Sequence, residues 1–139
     1  MAFRSLLVLT ILLAAAGFAQ AAPTKSNGAT EQLVGEWRGR SLCVTTTRPA
    51  CTDETVSYRI RRPKPGVDAF AIEASKLVDG KFEVMGPELE CSFEPTRQQL
   101  LCPMGQGRWQ FRWDGRQLVG ALLDPSGLFR LIRVDKVQP

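Results

Sequence analysis

The chain contains no histidine, and that absence removes several chemistries at once. Histidine is the commonest general base and the usual partner of a serine or cysteine nucleophile. It is also a principal zinc ligand. Strong charge of either sign is lacking too. Lys and Arg total 18 against 14 Asp and Glu, a formal net charge of +4. A surplus that small does not mark a nucleic-acid binder, though it suits a protein with some preference for acidic surfaces. Long apolar runs are missing: Leu6 to Ala16 is well short of the ~20 residues a helix needs to cross a bilayer. Beyond that run no segment carries a long helical periodicity.

What is present at the N-terminus reads as a secretory leader. Arg4 opens it, the Leu6–Ala16 run forms its apolar middle, and Ala19-Gln20-Ala21 supplies small residues before a cut. The expected organisation is a signal peptide over 1–21, a loose polar segment over 22–32, and one domain over 33–139. The expected location is periplasmic or secreted, with no membrane span after processing.

The four cysteines form an even set behind a leader and read as two disulfides. Their spacings are not those of zinc motifs. The expected pairs are Cys43–Cys51 and Cys91–Cys102. A turn centred on Thr96-Arg97 pairs Glu94 with Gln99 and Phe93 with Leu100, which sets Cys91 opposite Cys102. Opposed residues at a non-hydrogen-bonded position lie ~4.5 Å apart at Cα, within reach of a disulfide.

The remainder is a series of short runs with period-two alternation, separated by turn residues. A helical turn is expected at 30–33, capped by Thr30, and the first strand at Gly35 to Cys43. Val56, Tyr58 and Ile60 then face one way, while Ser57, Arg59 and Arg61 face the other. Val67 to Leu77 is the next strand, with Phe70, Ile72 and Ala74 inward. Asp79-Gly80 is a tight hairpin signal, leading into Lys81 to Met85. Pairing Leu77 with Phe82 inside requires a bulge near Ala74-Ser75. Trp109, Phe111 and Trp113 alternate with Arg108, Gln110 and Arg112. A hairpin at Asp114-Gly115 would set Phe111 opposite Leu118 and Trp109 opposite Gly120. In the last strand, Leu128 to Val137, a bulge at Leu131-Ile132 would return Val134 to the core. About eight or nine strands with hairpin-length connections predict an all-β fold, an antiparallel up-and-down barrel.

The start of the domain, Leu33-Val34-Gly35-Glu36-Trp37, resembles that of lipocalins and the wider calycin barrels, in which G-x-W follows a short helical turn. It is similar also to the start of small periplasmic inhibitors of secreted metalloproteases. The resemblance implies that Trp37 plugs one end of the barrel and that a basic residue of the last strand, Arg130 or Arg133, packs over its ring. The chain is shorter than a typical lipocalin and lacks its C-terminal helix. The Cys43 to Glu54 stretch is similar to one found in uncharacterised exported bacterial proteins.

Few residues invite chemistry. Asp53 and Glu54 are adjacent and should diverge if strand-borne. Glu88 and Glu90 share a face on the solvent side. Gly105-Gln106-Gly107 lacks the lysine and following helix of a phosphate cradle. No spaced oxygen ligands suggest calcium. No cofactor and no catalytic or metal-ligating set is expected, so the protein is read as not an enzyme. Two binding features remain. Trp37, Tyr58, Phe70, Trp109, Phe111 and Trp113 would either fill the barrel or line a cup for a small apolar ligand. Arg59, Arg61, Arg108 and Arg112 would form an outer belt for an acidic envelope partner, or simply a solvated sheet face. The expected function is a non-enzymatic exported barrel binding an apolar ligand or an envelope partner. The alternative is a proteinaceous inhibitor of an exported hydrolase of protease or lysozyme type, acting through 22–32 or a bridged loop.

Overall fold

Alternation of apolar and polar side chains yields nine strands among the described residues. They are β1 (Gly35–Cys43), β2 (Glu54–Arg61), β3 (Ala69–Val78), β4 (Lys81–Val84), β5 (Leu89–Glu94), β6 (Gln99–Met104), β7 (Gly107–Trp113), β8 (Gln117–Asp124) and β9 (Gly127–Lys136). The computed structural model describes residues 27–139, so the leader at 1–21 and residues 22–26 lie outside the described residues. The rest of the 22–32 segment holds a short helix, α1 (Asn27–Glu31), and the turn that follows it. Thr30 lies within that helix and is buried, rather than capping it from outside.

Consecutive strands pair antiparallel except that β5 pairs with β3 and not with β4, and β9 returns to β1, so eight strands close into a barrel with β4 as an extra strand. Closure satisfies backbone groups that an open sheet would leave unpaired. β4 and β5 follow one another along the same edge of β3, which faces β5 at Ala69–Ile72 and β4 at Ser75–Val78. Asp79 and Gly80 both adopt positive φ, 47° and 80°, the requirement of the tight hairpin read there. The β5–β6 register places Glu94 opposite Gln99 and Phe93 opposite Leu100. Both expected bridges are present, Cys43–Cys51 and Cys91–Cys102, the latter with a Cα separation of 4.2 Å.

Three register expectations are corrected. β3 carries no bulge: Phe70, Ile72 and Ala74 face inward and the alternation runs on to Lys76. Leu77 does pair with Phe82, but on the outer face, where the Arg38 guanidinium lies 5.1 Å from the Phe82 ring centroid. At the β7–β8 hairpin, Asp114 accepts hydrogen bonds from the N–H groups of both Arg116 and Gln117. Its own N–H donates to the Gln117 carbonyl, so the tip falls on Gly115-Arg116. Phe111 therefore faces Gly120, and Trp109 faces Leu122. In β9 the irregularity sits at Phe129, opposite Leu122/Leu123, instead of at Leu131-Ile132. Beyond it Ile132 and Val134 point inward while Leu131 and Arg133 point out.

Candidate functional site

The aromatic residues expected inside are inside. Trp37, Tyr58, Phe70, Trp109, Phe111 and Trp113 are all buried. All six belong to one core cluster, and three of them are in direct ring contact. Tyr58 meets Trp109 and Phe111 edge-on, with ring centroids 5.4 Å apart in each case, and Trp109 lies 5.9 Å from Phe111. Those spacings are direct ring contacts. Phe70 packs separately, 6.2 Å from Phe93. Trp113 and Phe70 border surface hollows of about 520 and 380 Å³ respectively. Burial pushes the Tyr58 hydroxyl well above the ordinary tyrosine range, with Arg130 opposing the shift. The Tyr58 hydroxyl and the Trp109 indole nitrogen have no hydrogen-bond partner among the described residues.

The two barrel ends differ. At one, Trp37 is buried and its Nε1 donates to the Leu33 carbonyl at 2.8 Å. The cation over this ring is Lys136, 5.6 Å from the centroid, not Arg130 or Arg133. Register decides this, because Trp37 is opposite Lys136, whereas Arg133 points outward and Arg130 lies towards the other end. There Arg130 joins Glu54 at 3.3 Å and donates to the Thr52 carbonyl at 3.0 Å. Lys76 reaches the same Glu54 at 3.4 Å. Inward parity carried through β2 from Val56, Tyr58 and Ile60 to Glu54, and through β3 from Ala74 to Lys76, is the signal that would have found this cluster.

Three further carboxylates have structural partners. Asp53 diverges from Glu54 as expected, and its Oδ1 accepts the Cys43 N–H at 2.9 Å. Glu88 takes Arg61 at 2.6 Å. Hydrogen bonds from Ser57 and Arg38 hold Glu36 below the usual carboxylate range.

The expected basic belt divides in two. Arg59 pairs with Glu73 at 3.3 Å and Arg61 with Glu88, so the β2 half is neutralised. Among the described residues Arg108 has a single side-chain contact, 3.4 Å to Gln110 Oε1. Arg112 has no ion pair among the described residues. The four arginines thus differ in how far their charge is neutralised. No helix among the described residues is long and apolar enough to cross a membrane.

Compared with known proteins, the chain matches no family model and no curated sequence. A functional reading has to be built from the barrel's own geometry.

Proposed function

We propose that the chain is a non-enzymatic, exported, calycin-like binding barrel whose partner sits on its outer wall rather than inside it. One observation carries the choice between interior and exterior: the aromatic side chains that would line a cup touch one another across the barrel, Tyr58 against both Trp109 and Phe111. Small barrels of about eight strands have interiors that side chains alone can fill. The non-enzymatic part of the reading is supported by the lack of histidine and by the bridging of all four cysteines, since oxidised thiols are inert as nucleophiles. Two disulfides favour an oxidising compartment, periplasmic or secreted. The Gly35-Glu36-Trp37 start, a ring-covering cation and a closed antiparallel wall support the calycin likeness.

Native mass spectrometry of the oxidised mature protein tests this reading. The expected spectrum is that of the chain alone. A co-purified small molecule that leaves on denaturation would return the function to the interior.

The inhibitor reading keeps one specific support. The loop from Val44 to Ala50 is closed by the Cys43–Cys51 bridge and tied down by Arg48, which pairs with Asp124 and lies 4.4 Å from the Phe129 ring centroid. A rigid, exposed loop loses little entropy on entering a hydrolase cleft. If it acts so, opening the bridge with Cys43→Ser and Cys51→Ser should weaken inhibition of a sensitive exported protease or lysozyme. Failure of the intact protein to inhibit any such enzyme removes this reading.

A further inference from the structure

We propose that the outer wall made by β8, β9 and β1 is a docking groove for an acidic, amphipathic segment of a protein partner. The proposal rests on the exterior-binding reading above and names its surface. Strand register sets Leu42 opposite Leu131, and Leu131 opposite Ala121. In the next outward row Arg40 is opposite Arg133, Arg133 opposite Val119, and Val119 opposite Arg112. Leu42, Val119 and Leu131 are 41%, 39% and 43% exposed. Together with Gly39, Arg40, Arg133 and Asp135 they line a hollow of about 500 Å³. Gly39 brings β1 so close to β9 that a Cβ there would stand 2.1 Å from the Arg133 carbonyl oxygen.

Folding gives no account of this arrangement. Like charges directly opposite on neighbouring strands destabilise a sheet, and Arg40 and Arg133 are such a pair. The ion pair of Arg40 is a loose one, with Asp53 at 4.0 Å. Arg112 and Arg133 have none among the described residues. Asp135, the carboxylate bordering the hollow, is engaged by Gln117 Nε2 at 2.7 Å. On the β2 side, by contrast, the outward arginines Arg59 and Arg61 each have a glutamate. An apolar centre rimmed by arginine is the composition of a protein interface.

Charge selects the occupant. An apolar side chain of the partner enters between Leu42, Val119 and Leu131, and flanking carboxylates meet the guanidinium groups of Arg40, Arg112 and Arg133, which suit bidentate pairing. A second copy on the same face would oppose arginine to arginine. A bilayer calls for protruding apolar groups, whereas these line a hollow.

The test uses the oxidised protein with methyl-labelled leucine and valine, and three probes. These are an amphipathic peptide with leucine on one face and glutamate on the other, its lysine counterpart, and phosphatidylglycerol vesicles. The glutamate peptide should saturably shift the methyls of Leu42, Val119 and Leu131, less so at high salt. Arg133→Gln should weaken that binding about tenfold or more, with thermal unfolding unchanged or slightly raised by relief of the Arg40–Arg133 repulsion. Equal binding of the lysine peptide, or binding to vesicles alone, overturns the proposal. So does the absence of any shift. Shifts confined to another outer surface also overturn the groove, yet leave the exterior reading standing; a retained small molecule in native mass spectra overturns that reading itself.

Discussion

Trp37 and Lys136 face each other across β1 and β9, and the lysine closes the barrel end over the indole. Its Nζ lies 5.6 Å from the ring centroid and donates to the Gln32 carbonyl at 2.6 Å. Its hydrocarbon stem comes close to Gly35, where a Cβ would stand 3.0 Å from Lys136 Cε. Trp37→Ala should therefore cost about 3–5 kcal/mol, the range for a fully buried tryptophan. Lys136→Met keeps the stem and removes the cation, so its cost should be about 0.5–1 kcal/mol. Urea unfolding measures both, and a loss below ~1 kcal/mol for Trp37→Ala would mean the ring is not a plug.

Gly120 is required by Phe111. A Cβ at position 120 would stand 2.5 Å from Phe111 Cδ1. Gly120→Ala should destabilise by about 1–3 kcal/mol through overpacking. An unchanged denaturation midpoint would show that the β7–β8 register is wrong.

Tyr58 carries a buried hydroxyl with no partner among the described residues. Removing such a group while keeping the ring spares its desolvation penalty, about 1–3 kcal/mol. Tyr58→Phe is thus expected to leave stability unchanged or raise it, read as an equal or higher thermal midpoint. A clear loss would reveal a hydrogen bond that the hydroxyl makes.

Acid should weaken the fold through a small set of carboxylates. Glu36 is held low chiefly by Ser57, Asp114 by the Gln117 and Arg116 N–H groups, and Asp124 chiefly by Ser126. A carboxylate with a depressed folded pKa contributes stability that is full above its unfolded value and lost as pH falls through the folded one. Stability should accordingly be flat near neutrality and decline below about pH 4, the unfolded carboxylate range. Glu36→Gln should flatten part of that decline. An identical acid limb in the variant would contradict the assignment to Glu36.

The strand plan was legible because turns announce themselves. Asp79-Gly80, the Pro95 turn and the Asp124 to Gly127 turn each lie where their chemistry put them, and the Cys91–Cys102 disulfide follows from that framework. Registers depended on something less visible. The side chain of Asp114 draws in two N–H groups beyond the turn and moves its tip by one residue, which shifts pairing by two and exchanges Trp109 for Phe111 at Gly120. Phe82 looked like core by size alone, but an outer-wall arginine offers its ring a place that alternation cannot reveal. The pairing of the outward arginines is hidden for a related reason: which of them have carboxylate partners depends on which strands become neighbours. Only closure of the barrel brings Arg40 of β1 beside Arg133 of β9.

The central claim, a sealed and filled interior with binding on the wall, is tested most directly by the tryptophans. The chain has three, and Trp37, Trp109 and Trp113 are exposed by only 1%, 8% and 7%. Iodide quenching of tryptophan emission should be nearly absent in the oxidised native protein and appear in full on denaturation. Strong native quenching, relieved by an apolar ligand, would mean that the barrel is an open cup and would contradict the account.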